Sequence, residues 1–268
     1  QICPVGALTA KPYRFKARPW DLSQQESTCT TCSVGCRVVV QSSRDELLRL
    51  NGVDSDPVNH GWMCDRGRFN FEAVKSDARV LQPLVRSGDA LQPAGWNLAV
   101  AHAANMIAEA KASGGPASIA VIGGARGTNE DAFAWARLGH EVIGTPNVYA
   151  QMGDGLPVGL LGQPRATIDQ ASSAATVILL GPDLKEELPV LYLRLRAAAE
   201  SKRTRLVEFA PKQTGLTSQA WRHVAYEPGT QAEVVKATLA DPAVAAQLAK
   251  GDVVVVAGRA NLAESSAA

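Results

Sequence analysis

The chain has almost no net charge: 27 Lys and Arg against 26 Asp and Glu leave +1 over 268 residues. No Lys/Arg-rich block breaks that balance, so the electrostatic footprint of a nucleic-acid binder is missing. Long apolar runs are scarce as well. Val253 to Ala257 falls far short of the roughly twenty residues a bilayer-spanning helix takes, so no direct lipid span is expected from it. The opening residues Gln1-Ile2-Cys3-Pro4-Val5-Gly6-Ala7-Leu8 have neither an initiator methionine nor a charged-then-apolar leader, and read as the inside of a domain. Histidine is rare, with 4 in the chain, and His102, His140 and His223 show no metal-ligand spacing. Aromatics make up 5%, and Trp20, Trp62, Trp96, Trp135 and Trp221 read as core or interface anchors.

Against that background the 5 cysteines stand out. Cys29, Cys32, Cys36 and Cys64 form a C-x2-C-x3-C-x27-C array. Three thiolates on one short loop and a fourth from a distant turn suit the corners of a [4Fe–4S] cube, each capping one iron. Structural zinc sites also use C-x2-C, but they set two such knuckles face to face. Here Cys36 extends the first knuckle and the distant side offers Cys64 alone. His60, four residues before Cys64, reads as a neighbour or surface histidine and not a ligand. A disulfide framework is not needed in a chain of this length. Cys3 stands directly before Pro4, the way ferredoxin-type cluster motifs close. The other thiols already make a complete set, so its cluster partners are expected upstream, in a larger protein of which this chain is a fragment.

The residues around the thiols are small and turn-forming, as sulfur-facing backbone amides require: Thr30-Thr31, Ser33-Val34-Gly35 and Gly61. Residues 37–42 and 47–50 read as paired strands, with Asn51-Gly52 turning the chain toward Cys64. Beyond residue 78 the pattern changes. Strand-like runs at 119–122, 177–180, 206–209 and 253–256 alternate with helical stretches at 128–138 and 189–199, and a helix before the first carries Leu98, Ala101, Ala104, Ile107 and Ala108 on one face. Strand, glycine turn and helix in repetition predict an α/β fold with a doubly wound, mostly parallel sheet. The turn Gly123-Gly124-Ala125-Arg126-Gly127 fails the G-x-G-x-x-G spacing of a dinucleotide site.

The array with Cys64-Asp65-Arg66-Gly67 resembles the molybdopterin oxidoreductases, whose N-terminal domain carries a [4Fe–4S] cluster on a similar Cys-x2-Cys-x3-Cys and a late Cys-x-Lys-Gly. Arg66 stands where that family places a lysine between cluster and pterin, a planar fork for a flexible point charge. No molybdopterin is expected. Adding Cys3-Pro4-Val5-Gly6-Ala7-Leu8 and Phe15-Lys16-Ala17-Arg18-Pro19-Trp20 narrows the resemblance to the large iron–sulfur subunits of respiratory complex I, as found in the bacterial NADH–quinone oxidoreductases.

The resemblance implies three parts: 1–20 as the end of a ferredoxin-like iron–sulfur domain, 21–78 as a strand-rich [4Fe–4S] domain of Mo/W-bis-pterin type, and 79–268 as a truncated α/β domain. It implies one complete [4Fe–4S] cluster on Cys29, Cys32, Cys36 and Cys64, of a kind that mitochondrial versions lack, and Cys3 as fourth ligand of a second. Arg37 and Arg66 are expected beside the first cluster. No catalytic acid or base is expected. NADH and quinone would bind other subunits of the complex, in a peripheral arm on the cytoplasmic face of a bacterial inner membrane. The alternatives are a molybdenum or tungsten bis-pterin enzyme and a zinc-stabilised interaction module.

Overall fold

The computed structural model describes residues 3, 5–54, 57–124, 127–150, 159 and 162–258. Gln1, Ile2 and Pro4 of the opening motif, and Ala125 and Arg126 of the glycine turn, lie outside them. The chain packs as two compact units, Gln1–Phe71 together with Gly153–Ala268, and Glu72–Met152. The thiol array and the largest sheet therefore share one unit.

That unit begins with an antiparallel meander of β1 (Ser23–Thr28), β2 (Arg37–Ser43) and β3 (Glu46–Gly52). The β2–β3 turn places Arg44 and Asp45 at φ 53° and 61°, the doubly left-handed turn whose twist matches a tight hairpin. Val38, Gln41 and Leu48 point inward. The expected strands at 37–42 and 47–50 are these two, but Asn51-Gly52 is not a turn: β3 runs through it, and the chain reverses at His60 and Gly61, with φ 47° and 76°. Gly52 is glycine because a Cβ there would lie 2.2 Å from the Gly61 carbonyl oxygen, closer than atoms pack. Two strands end against a returning loop, and α1 (Asp65–Phe69) follows Cys64.

Glu72–Met152 forms its own unit. It holds a hairpin of β4 (Leu84–Ser87) and β5 (Ala90–Pro93), then α2 (Trp96–Gly114). The short parallel strands β6 (Val121–Ile122) and β7 (Val148–Tyr149) flank α3 (Asn129–Arg137). Thr128 and Asp131 form a reciprocal capping box at the start of α3, the device the sequence predicts there. The expected apolar face of α2 is not buried: Leu98, Ala101, Ala104 and Ala108 are exposed, and no α2 residue is buried.

The first unit resumes with α4 (Ile168–Ser173), β8 (Thr176–Leu180), α5 (Leu184–Glu187), α6 (Pro189–Glu200), β9 (Arg205–Phe209), β10 (Arg222–Val224), α7 (Gln231–Leu239), α8 (Pro242–Leu248) and β11 (Val253–Ala257). The sheet order is β10-β9-β8-β11, parallel throughout. Successive strand residues face opposite sides, so alternate positions build two cores. Val177, Leu179 and Leu206 join Leu191 and Leu195 on one face; Ile178, Val207 and Phe209 meet Val234, Val235 and Leu239 on the other. Helices thus cover both faces, as a parallel sheet buried on both sides requires. Val34, from the cysteine loop, packs into the first of these cores.

Candidate metal centre

Three of the array's thiols come from the connection between β1 and β2. Thr28 pairs with Arg37 in the ladder, and one step further the Cys29 N–H donates to the Cys36 carbonyl at 2.8 Å. Cys29 and Cys36 therefore stand at the mouth of a hairpin, with Cys32 in its loop. The loop tightens where the Gly35 N–H donates to the Cys32 carbonyl at 3.3 Å, and Gly35 takes φ 64°, a left-handed conformation glycine enters without steric cost. The fourth thiol, Cys64, caps α1, its sulfur accepting the Gly67 N–H at 3.4 Å. A Cβ on Gly67 would lie 3.0 Å from Cys29 Sγ and 3.7 Å from Cys64 Sγ. The glycine opens a notch between sulfurs from the two ends of the array.

Asn59 holds these two ends together, a residue whose Asn-His-Gly context reads in sequence as an ordinary turn. It is fully buried. Its side-chain oxygen accepts the Arg37 N–H at 2.9 Å, and its amide nitrogen donates to the Arg37 carbonyl at 3.1 Å and to the Trp62 carbonyl at 2.8 Å.

Burial and mutual repulsion dominate the electrostatics of the array. Burial pushes the Cys36 thiol from 9.0 up to about 12, with the neighbouring charges of Cys32, Cys29 and Cys64 adding to it. Burial also raises Cys32, against a lowering hydrogen bond from the Val34 amide; the charges of Cys64 and Cys29 raise it further and that of Arg66 lowers it. Thiols that repel one another as anions and gain little from water await a cation to share. Cys3 is the opposite case. Backbone amides of Leu8, Val5 and Ala7 turn toward its partly exposed sulfur and lower its pKa, a nest of N–H groups of the kind that holds cluster sulfur.

The expected neighbours differ in what they contact. Arg66 donates to the Glu186 carbonyl, at the end of α5. Arg37, beside Cys36, pairs its guanidinium with Glu26 across the β1–β2 ladder at 2.9 Å. His60 contacts Arg194 at 3.4 Å and lies 3.7 Å from Asp169, half-exposed. These contacts, with Val34, join the thiol-bearing loops to the helices of the large sheet.

The donor set fits a cluster better than a single ion. A cubane spreads its four sulfurs over four irons, which suits three thiols from one hairpin and a fourth at the start of α1. Gly67 lets the Cys29 and Cys64 sulfurs approach the same stretch of backbone, the Cys64 sulfur meets an N–H group, and all five thiols are free of disulfides.

A small cleft opens at the carboxyl ends of β8, β9 and β11 and is lined by Leu179, Pro182, Phe209, Val256 and Glu208. Ligands of open α/β sheets bind at such ends. Its chemistry does not fit a pterin phosphate. Among the described residues no Lys, Arg or His lines it, Glu208 is a buried carboxylate, and Asp183 takes the Lys185 and Gly215 N–H groups that an anion would need. In the other unit, Gly123 is glycine for packing: a Cβ would lie 2.6 Å from the Trp135 ring.

Fold and array define an iron–sulfur oxidoreductase domain pair. The chain belongs to the molybdopterin oxidoreductase family, whose model matches residues 79–261, while that of the molybdopterin oxidoreductase Fe4S4 domain matches residues 23–76. The Fe4S4 domain supports an iron–sulfur cluster in this chain. Its relatives include the G subunit of the NADH-quinone oxidoreductase of Mycobacterium bovis, 35% identical over 271 aligned positions that cover 96% of this chain and 33% of the relative. The alpha subunit of the NADPH-Fe(3+) oxidoreductase of Geobacter sulfurreducens is 31% identical over 88% of this chain and 28% of the relative. The chain thus spans about a third of the length of the curated relatives it matches. Acetylene hydratase from Pelobacter acetylenicus shares the fold, with a TM-score of 0.59 at 18% identity over 78% of this chain and 30% of the solved one. No helix among the described residues is long and apolar enough to cross a membrane.

Proposed function

We propose that this chain is an electron-carrying part of a bacterial NADH–quinone oxidoreductase. Cys29, Cys32, Cys36 and Cys64 hold a [4Fe–4S] cluster, and Cys3 supplies one ligand of a second whose other thiols lie outside this chain. The observation that carries the reading is the Gly67 notch between Cys29 and Cys64, beside relatives named as G subunits of NADH-quinone oxidoreductases. Such clusters, when bound, accept and release single electrons without making or breaking substrate bonds. The chain's own residues keep the sulfurs in place, exclude water by burying Cys36, and set a fixed positive charge at Arg66. NADH and quinone bind other subunits in this reading, and the chain sits in a peripheral arm on the cytoplasmic face of the inner membrane. The bis-pterin alternative is disfavoured by the acidic cleft at Glu208.

Iron, acid-labile sulfide, zinc, molybdenum and pterin measured on the intact native protein, with reduced-state EPR, test it. Stoichiometric zinc without iron sinks the cluster, and stoichiometric molybdenum with pterin sinks the electron-carrier reading in favour of the enzyme. Cys64→Ala should abolish the array's signal and spare any cluster that includes Cys3.

A further inference from the structure

We propose that Asn59 is a positioning residue that fixes the fourth corner of the array and so decides whether its cluster keeps four irons. The inference rests on the reading of the array as a [4Fe–4S] site. Arg37 follows Cys36 directly and Trp62 precedes Cys64 by two residues, so the three hydrogen bonds of one side chain span the two halves of the ligand set. The Trp62 N–H also donates back to the Asn59 carbonyl at 2.7 Å, closing the loop into a rigid ring. The amide orientation is dictated by its partners: the Arg37 N–H needs the oxygen, and two carbonyls need the nitrogen. Both N–H groups are used, and the residue has no access to water. No other natural side chain of this size offers one acceptor and two donors in a plane.

Cys29, Cys32 and Cys36 do not depend on this tie, because their hairpin closes through its own backbone bonds. Cys64 does depend on it. Its own hydrogen bonds are local, the Gly67 N–H to its sulfur and the first turn of α1, and beyond them Arg66 adds one bond to the Glu186 carbonyl. Losing Asn59 therefore loosens one corner and leaves three. A cubane with one weak corner sheds that iron on oxidation: [4Fe–4S]²⁺ gives [3Fe–4S]⁺, Fe²⁺ and one electron, which passes to an added one-electron oxidant such as ferricyanide. The Cys64–Fe bond breaks and the freed thiolate takes a proton from water.

The test uses the full native protein with Asn59→Asp, which keeps the shape but turns an oxygen toward two carbonyls, and Asn59→Ala. After anaerobic loading, ferricyanide is added and the three-iron EPR signal and released Fe²⁺ are followed. Conversion about 10- to 100-fold faster than in the unsubstituted protein is expected, the range that partners of metal ligands typically command. A second measurement covers variants that load poorly: in the metal-free protein, iodoacetamide labelling mapped by peptide should accelerate at Cys64 and not at Cys29, Cys32 or Cys36. Equal acceleration at all four thiols overturns the proposal, because Asn59 then serves the fold at large. Unchanged conversion in a fully loaded variant overturns it too. If the unsubstituted protein holds no iron and sulfide, the reading of the array itself has failed, a result distinct from either.

Discussion

Gly67→Ala should separate cluster holding from fold stability. The backbone at Gly67 has no positive φ, so the helix does not require glycine there, and glycine within a helix costs roughly 0.5–1 kcal/mol relative to alanine. In the metal-free variant this gain is set against the 3.0 Å approach of the new Cβ to Cys29 Sγ, which an unligated side chain relieves by rotating, so stability should change by no more than about 1 kcal/mol. The loaded protein should suffer. The new Cβ would sit 3.0 Å from Cys29 Sγ, whereas atoms in van der Waals contact settle near 3.5–4.0 Å, so the sulfur must retreat by roughly half an ångström. Metal–ligand distances tolerate only about 0.2 Å. Cluster loss to a chelator should rise by about tenfold or more. Urea unfolding of the metal-free form supplies the stability, and iron content, sulfide content and reduced EPR amplitude over time in chelator supply the occupancy. Unchanged retention of the cluster in a variant of unchanged stability would refute the idea that this space is reserved for sulfur.

Three further outcomes are expected. The metal-free protein should lose stability above pH 9: the folded Cys36 holds its proton up to about 12 while the unfolded thiol releases it near 9.0, so stability is whole below 9 and falls by up to about 1.4 kcal/mol per pH unit above it. Thermal melts of the metal-free protein against Cys36→Ala should differ in slope over that window, and equal slopes would contradict the assignment. At neutral pH, iodoacetamide should label Cys3 first and Cys36 last in metal-free protein, since amides lower one and burial raises the other; a reversed order in the peptide map would rule this out. Glu208→Ala should cost roughly 1–3 kcal/mol in urea unfolding, because the buried carboxylate accepts from Thr217 at 2.6 Å, from Thr214, and from His223 at 2.8 Å; a midpoint within error of the unsubstituted protein would show those donors find water instead.

The thiol array was legible because ligand chemistry dictates spacing, and the parallel sheet because buried strands read as apolar runs between glycine turns. What escaped was set by contacts distant in sequence. β1 is six polar, exposed residues; it forms because β2 needs a partner and the cysteine hairpin delivers one, and no alternation announces it. Asn59 and Gly67 look like a turn residue and a poor helix former, and their meaning lies in Arg37, 22 residues away, and in the sulfur of Cys29. Asn51-Gly52 misleads for the same reason: the glycine is there for the close approach of Gly61 and not for a left-handed turn. Gly123 likewise makes room for Trp135, where a glycine turn after a strand suggests phosphate.

The two sulfur sites place opposite demands on assembly. Cys3 is partly exposed, and the amides already turned toward it lower its pKa and favour its thiolate before any metal arrives. Cys32 and Cys36 are held protonated by burial and by the neighbouring thiols, and a bound cation displaces those protons, which makes loading a proton-releasing step that weakens as pH falls. The hairpin carrying Cys29, Cys32 and Cys36 closes on its own backbone bonds, while Cys64 arrives through the Asn59 tie and the Gly67 notch. Three thiols are thus organised by local structure and the fourth by tertiary structure. An iron core can be received by the hairpin, but it becomes secure only when residues 57–67 have docked, so retention of the fourth iron reports on the folding of this whole region.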